Sequence, residues 1–375
     1  MQLTLVLTHA CNLRCAYCYT GEKKPVRMPS RIGRRAIDFA LEQRPRNLTL
    51  AYFGGEPMLE FALMRELTAY ARERTRAASV PFDIIMTTNG TLLTDEALAE
   101  LATWPFEPSL SLDGVGPAHD VGRPFIDGRG SYDVVIDALQ RTLRVFPHLI
   151  LMMVVDPANV GALADSVAQL VEMGARRLRF SIDFQGSWTE PTLATLGAQI
   201  GRAADLYVEY FRRGLPVSMA GFDDRLRVHL KGGATAADHC DLGMDEIAVA
   251  PSGWIYPCER MVGEDTDERA RIGHLDQGFD APRRAYFGSA RPSGKAEMEA
   301  LGLGPCGMWC GCTNYLLTGA PDRVPEVFRR YQTVLVREAL RAGTTLFQEQ
   351  NPFFLGVFYG EDELLARAAA TAPTR

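Results

Sequence analysis

The residues best able to do chemistry in this 375-residue chain are its eight cysteines: Cys11, Cys15, Cys18, Cys240, Cys258, Cys306, Cys310 and Cys312. Three fall within eight residues near the start, none in the next 221, and five within 73 near the end. An even count could mean four disulfides. Disulfide frameworks belong to small exported chains, however, and two separated clusters read instead as two metal sites. The first is the C-x3-C-x2-C loop Cys11-Asn-Leu-Arg-Cys15-Ala-Tyr-Cys18. Thiolates are soft ligands that suit zinc or iron–sulfur centres. A structural zinc closes with four ligands. Here there are three, and a zinc loop would have to borrow His9 or a distant carboxylate. A three-thiolate loop is what a 4Fe–4S cubane needs if one iron is to stay open to a further ligand.

The second cluster begins as Cys240-x12-Gly253-x4-Cys258 and ends as Cys306-x3-Cys310-x-Cys312. The segment IAVAPSGWIYPC reads as a β-hairpin with a Ser-Gly turn, one Cys before it and another at its end. Five thiolates fall short of the eight that two complete 4Fe–4S clusters take. They suffice for one cluster with a Cys to spare. One full cluster plus a partly ligated second would need non-Cys ligands, and tetrathiolate zinc is the remaining alternative. The preferred reading is one auxiliary cluster held by Cys240, Cys258 and two of Cys306, Cys310 and Cys312. Cys310 and Cys312 would point oppositely on an extended strand, so binding both requires a turn, which Gly311 permits.

With Tyr17 just before the last Cys, the first loop resembles the signature of the radical S-adenosylmethionine (SAM) enzymes. The resemblance implies that SAM chelates the open iron of a 4Fe–4S cluster on Cys11, Cys15 and Cys18. One electron from a flavodoxin- or ferredoxin-type donor then cleaves SAM to a 5′-deoxyadenosyl radical that abstracts hydrogen from substrate. Gly54-Gly55-Glu56-Pro57 is similar to the family motif that binds the SAM amino group. Thr88-Asn89-Gly90 and Ser111-Leu112-Asp113-Gly114 resemble the ends of the family's third and fourth strands. By the same resemblance Ser111, Asp113 and Arg123 would contact the ribose or carboxylate of SAM, and the backbone beside Tyr17 its adenine. Taken alone, a double glycine, Asn-Gly and Asp-Gly are turn formers. The hairpin with Cys240 and Cys258 resembles the opening of the SPASM and twitch domains, which hold auxiliary iron–sulfur clusters. A full SPASM domain has seven Cys where this segment has five. The resemblance extends over about residues 3–320.

The elements that must carry these motifs alternate. Apolar, β-branched runs at 3–8, 48–53, 82–87, 108–113, 149–155 and 177–182 read as strands. Amphipathic stretches at 31–44, 59–76, from Thr94, 131–146 and 160–173 read as helices between them. Strand–helix alternation means parallel βαβ units, and six of them fit an α/β fold: a partial (β/α)6 TIM-like barrel with its site at the C-terminal strand ends. The expected organisation is a radical SAM barrel over 1–184, a bridging helical region over 185–237, and a small α+β SPASM/twitch-like domain over 238–320. A C-terminal helical region and tail follow over 321–375. NPFFLGVFYG (351–360) could cover the barrel mouth or pack into the core, and the tail from 361 reads as frayed.

Composition narrows the partners. Hydrophobic residues make up 47% and charged residues 23%, which suits a buried core. Forty Lys and Arg against 46 Asp and Glu leave a net charge of −6, against the basic surplus of nucleic-acid binders. No apolar run has the length of a membrane span. The start lacks the features of a signal peptide, so a cytoplasmic location is the default.

Three functions are compatible with this reading. The first is oxidative modification of a peptide or protein side chain, by crosslinking or side-chain oxidation, in which an auxiliary cluster accepts the electron that the substrate loses. The second is dehydrogenation or rearrangement of a small polar metabolite of the antibiotic-pathway kind. The third is a non-catalytic iron–sulfur electron carrier or zinc-stabilised binding protein, for which the SAM-type motif GGEP would have no use. The first strand begins at Leu3, so a peptide would be read by the barrel mouth, the C-terminal region or a separate partner.

Overall fold

A computed structural model of the protein describes residues 1–360, and the tail 361–375, read above as frayed, lies outside the described residues. The first half alternates as expected. In order come β1 (Gln2–Thr8), α1 (Ser30–Glu42), β2 (Leu48–Gly54), α2 (Phe61–Ala78), β3 (Phe82–Thr88) and α3 (Asp95–Leu101). Then follow β4 (Phe106–Ser111), α4 (Pro117–Asp120), α5 (Tyr132–Val145), β5 (Ile150–Val155), α6 (Leu163–Glu172) and β6 (Arg177–Ile182). These six strands pair in parallel in chain order, which is the partial TIM-like barrel. Leu3, Leu5 and Leu7 on β1 are fully buried, as expected of a parallel strand covered on both faces. The helices start where their caps stand: Thr94 accepts from Ala97 N at 3.2 Å, and Thr189 closes a capping box. The fourth strand begins and ends two residues before its sequence reading, so Leu112 and Asp113 follow it.

The sheet is larger than six strands, because the open edges of a partial barrel expose unpaired backbone groups. Here both edges are paired. β7 (Ser218–Met219), between α7 (Glu190–Arg212) and α8 (Ala220–Leu230), adds in parallel to β6. On the other side β8 (Glu246–Val249) adds in parallel to β1, with Gln2 beside Glu246 and Leu5 beside Val249. β9 (Trp254–Tyr256) returns antiparallel to complete the expected hairpin, turning at Gly253 with φ +94°. β10 (Gly273–His274) and β11 (Gly278–Phe279) finish an eleven-stranded sheet, ordered β11-β10-β9-β8-β1 through β7.

Next come α9 (Ala281–Gly288), α10 (Lys295–Ala300), α11 (Gly311–Thr318) and α12 (Glu326–Gln348). The aromatic stretch after α12 is helical over 352–360 and packs into the core: Phe354 is buried against Phe211 of α7, ring centroids 5.8 Å apart. No helix among the described residues is long and apolar enough to cross a membrane. Because β1 is enclosed on both faces and both edges, Leu5→Ala is expected to lower unfolding free energy by about 2–5 kcal/mol. Equilibrium denaturation measures it.

Candidate active site

The C-terminal ends of β1 to β6 surround a cavity of ≈ 230 Å³. Its floor is the loop after β1, which presents Cys11, Cys15, Tyr17 and Cys18. β2 contributes Gly54, Gly55 and Glu56, β3 contributes Thr88 and Asn89, and Ser111 and Arg123 complete that half of the wall. Pro57 and Asp113 do not line the cavity. Two glycines let β2 press against the Cys loop. A Cβ on Gly54, whose φ is +146°, would lie 2.4 Å from Thr8 O, and one on Gly55 would lie 2.2 Å from Ala10 O. Gly55 N and Glu56 N instead donate to those carbonyls at 2.8 and 3.0 Å.

The carboxylate of Glu56 is buried and held by three donors. Oε1 accepts from Met58 N at 3.0 Å and Thr88 Oγ1 at 2.7 Å, and Oε2 accepts from Asn89 N at 2.8 Å. Burial raises its pKa against the pull of these bonds. Glu56 thus ties β2 to β3 while one edge faces the cavity. Asn89 Nδ2 donates to Asn12 Oδ1 at 2.9 Å and approaches Cys11 Sγ at 3.8 Å, which fixes the loop from the β3 side.

Asp113, expected at the ribose or carboxylate of SAM, is held by donors of the protein itself. Its side chain is fully buried and receives Arg123 Nε and Nη2, each at 2.9 Å, together with Val154 N at 2.8 Å and the Tyr17 hydroxyl. Burial works against the Arg123 charge, and Asp113 more than restores it. The Arg123 guanidinium lies 5.3 Å from the centre of the Tyr17 ring, so the pair braces Tyr17. Behind it, burial and Arg123 lower His119 to about 3, and its neutral ring accepts from Asp113 N at 3.3 Å.

The three loop thiols share the cavity and differ in environment. Burial pushes Cys11 up to about 11 and raises Cys15 as well. Burial would also raise Cys18, but Lys23 Nζ at 3.0 Å and Thr20 outweigh it and hold this thiol below its usual range. His9, the possible zinc ligand, is buried away from the cavity with Nε2 unpartnered. The donor set is therefore three soft sulfurs on one wall, with open space in front of them. That arrangement fits a cluster whose remaining iron faces the cavity.

The second group gathers four thiols. Cys310 and Cys312 lie 3.4 Å apart at the start of α11, Cys258 is hydrogen-bonded to Cys312, and Cys240 acts electrostatically on the same group. The expected turn is a helix N-terminus. Gly311 fits there because a Cβ would lie 2.4 Å from both Leu242 and Trp309. Cys306 stands apart. Its neighbour is His229 Nδ1 at 3.8 Å, and burial is the sole cause that raises it. The hydrogen bond from Cys312 favours the Cys258 thiolate, yet burial, Glu259 and Glu246 push it up to about 12. Four buried or half-buried thiols with raised pKa values are costly as thiolates, and a soft cation among them removes that cost. This donor chemistry fits a tetrathiolate centre. Glu246, Cys258 and Glu259 also bring ligand atoms within 4.8 Å of one another.

The far wall was not foreseen from sequence. Arg179, Ser181 and Asp183 face the cavity on alternate positions from β6, while Leu178 and Phe180 point into the core. Arg260, Thr313, Leu316 and Leu317 reach it from the second thiol region. The period of two in RLRFSID was the available signal for the first three; nothing local marks Arg260.

A model of the radical SAM superfamily matches residues 5–170, the segment that carries the Cys loop and the first strand ends. Residues 5–170 are therefore a radical SAM domain. A serine-type anaerobic sulfatase-maturating enzyme of Klebsiella aerogenes is 25% identical over 354 residues, 86% of this chain and 82% of its own length. The mycofactocin maturase MftC of Mycolicibacterium smegmatis is 30% identical over 275 residues, 68% of this chain and 63% of its own. The structure of native anSMEcpe with bound AdoMet and Kp18Cys peptide matches with a TM-score of 0.74 and 18% identity, covering 94% of this chain and 99% of that one. For a chain carrying this domain the thiol placement gives a direct expectation. Cys310→Ala and Cys312→Ala should each lose about four irons from the reconstituted protein, and Cys306→Ala none, by iron analysis. Asp113→Asn should cost about 3–5 kcal/mol in unfolding free energy, as breaking a buried ion pair does, while Ser111→Ala leaves it nearly unchanged.

Proposed function

We propose that this radical SAM protein oxidatively modifies a side chain of a peptide or protein, with SAM and one cluster at the Cys11–Cys18 loop and an auxiliary cluster at Cys240, Cys258, Cys310 and Cys312. The observation that carries the reading is a single cavity lying between the two thiol groups: the loop forms one wall, and Arg260 and Thr313, which touch the second group, form another. A carrier would need neither the cavity nor the strand-end cradle. The relatives support the peptide substrate, since they are named as maturases and the matching anSMEcpe structure holds a peptide.

When bound, the cofactors supply a radical that removes hydrogen from the substrate and a centre that takes up the electron released. The protein's own residues bind, orient and exclude water. Cys11, Cys15 and Cys18 would hold the first cluster. Gly54, Gly55, Glu56, Thr88, Asn89, Ser111 and Arg123 would receive SAM, with Tyr17 braced beside them. Pro57 opens the turn that carries Met58 N to Glu56. Met152, Phe184, Leu316 and Leu317 give the remaining wall an apolar surface that excludes water. Arg179 and Asp183 line the cavity and make no ion pair among the described residues; Asp183 Oδ1 accepts from Gln185 N at 2.9 Å, and both side chains would orient a polar substrate group. A flavodoxin- or ferredoxin-type donor would supply the first electron.

The small-metabolite reading is favoured by the modest volume of the cavity and this pair of unmatched charges. Both enzymatic readings require SAM cleavage. The reduced, reconstituted protein is expected to release 5′-deoxyadenosine. The triple variant Cys11→Ala/Cys15→Ala/Cys18→Ala should release none while keeping about four irons. Normal cleavage in that variant would refute the assignment. Glu56→Gln is expected to weaken SAM binding about tenfold, the loss of one charge-assisted hydrogen bond, with iron content unchanged.

A further inference from the structure

Arg260 lines the cavity and joins the two thiol regions through Tyr19 and Thr313. Its guanidinium lies 4.6 Å from the centre of the Tyr19 ring, and Tyr19 follows Cys18 in the first loop. On the other side Nη1 donates to Thr313 Oγ1 at 3.3 Å, and that hydroxyl lies 3.1 Å from Cys310 Sγ. One hydroxyl therefore separates the cation from the second thiol group. Tyr19 is stacked on Phe53, ring centroids 6.3 Å apart, so the arginine rests on a fixed platform. Next to it, Glu264 accepts from Glu22 N at 3.1 Å and Lys24 Nζ at 2.6 Å, which fastens the end of the first loop to the 259–265 segment.

The Asp183 carboxylate feels the charge of Arg260 from beyond ion-pair distance. No ion pair includes Arg260 among the described residues, although most other arginines of the chain have one. An enclosed guanidinium without a counter-ion is unfavourable. The groups whose anionic forms would act most strongly on it are Tyr19, Cys312, Cys310 and Cys258, and burial keeps the Tyr19 phenol neutral. As thiols these three sulfurs are neutral and leave the cation unmatched. As ligands of an iron–sulfur centre they carry the charge that Arg260 lacks.

We propose that Arg260 is the counter-cation of the auxiliary iron–sulfur site and makes that site easier to reduce. The proposal rests on the auxiliary cluster of the previous section. The step is a one-electron reduction: one electron enters the cluster, no bond to the protein is made or broken, and no proton is needed. Net charge and hydrogen bonding around the sulfurs set the potential of such centres. A fixed positive charge one hydroxyl away favours the state with one more negative charge. Arg260 is thus a positioning and tuning residue, held in place by Tyr19 and Thr313. Its neutral replacement must make reduction harder even if every cysteine ligand stays.

The test uses the full chain carrying Cys11→Ala/Cys15→Ala/Cys18→Ala, reconstituted with iron and sulfide, so that the auxiliary centre is the only cluster. Electron paramagnetic resonance then follows a redox titration of this background, and of the same protein with Arg260→Met or Arg260→Lys. Arg260→Met should disfavour reduction by about tenfold or more, a shift of about 59 mV or more to negative potential. Arg260→Lys, which keeps the charge, should stay within about threefold of the background. If Arg260→Met loses the iron and Arg260→Lys retains it, the counter-cation role is also supported. An unmoved potential in Arg260→Met with iron retained overturns the proposal. Loss of iron from both variants assigns Arg260 to packing and overturns it too. A background that holds no iron at all removes the auxiliary cluster itself, and the proposal falls with it.

Discussion

The pairing of β1 on both edges is the constraint on which the rest depends. β1 is hydrogen-bonded in parallel to β2 on one side and to β8 on the other. The strand delivers the Cys11–Cys18 loop at its end. β2 delivers the glycines that let that loop pack closely, and β8 opens the hairpin that lies between Cys240 and Cys258 in sequence. Two thiol groups that are more than 200 residues apart are thereby fixed to one strand. The same pairing covers one of the two edges that a partial barrel leaves open, and β7 covers the other.

Burying thiolates near one another is electrostatically unfavourable, and the protein places a cation of its own beside each group. Lys23 donates to Cys18 at 3.0 Å. Arg260 reaches Cys310 through Thr313. Between the two cations lies the cavity, with the Tyr17–Arg123–Asp113 cluster bracing one wall and Tyr19 on Phe53 another. Asp113 and Glu56 shape the cavity through buried hydrogen bonds. The geometry of the cofactor region is therefore inseparable from the stability of the strand ends.

Much of this was legible in the sequence. Local periodicity located all six barrel strands and their helices, because each element buries a continuous apolar face. The hairpin was legible because Gly253 must adopt a positive φ between two apolar runs. Four features were not. Strand β7 has only two residues and no pattern to detect. Asp113 carries the same local signal whether it meets a ligand or an arginine ten residues on. The choice of Cys310 and Cys312 over Cys306 depends on a helix beginning at Gly311, which the Cys-x-Cys spacing alone does not reveal. Arg260 gains its meaning from Tyr19, about 240 residues earlier in the chain.

The central claim is that two separate iron–sulfur sites border one cavity. It is tested most directly by an anomalous difference map at the iron edge, from a crystal of the anaerobically reconstituted protein grown with SAM. The account predicts two distinct peaks: one enclosed by Cys11, Cys15 and Cys18, the other by Cys240, Cys258, Cys310 and Cys312, with no signal at Cys306. A single peak, a peak at Cys306, or zinc-edge scattering in place of iron at either group would contradict it.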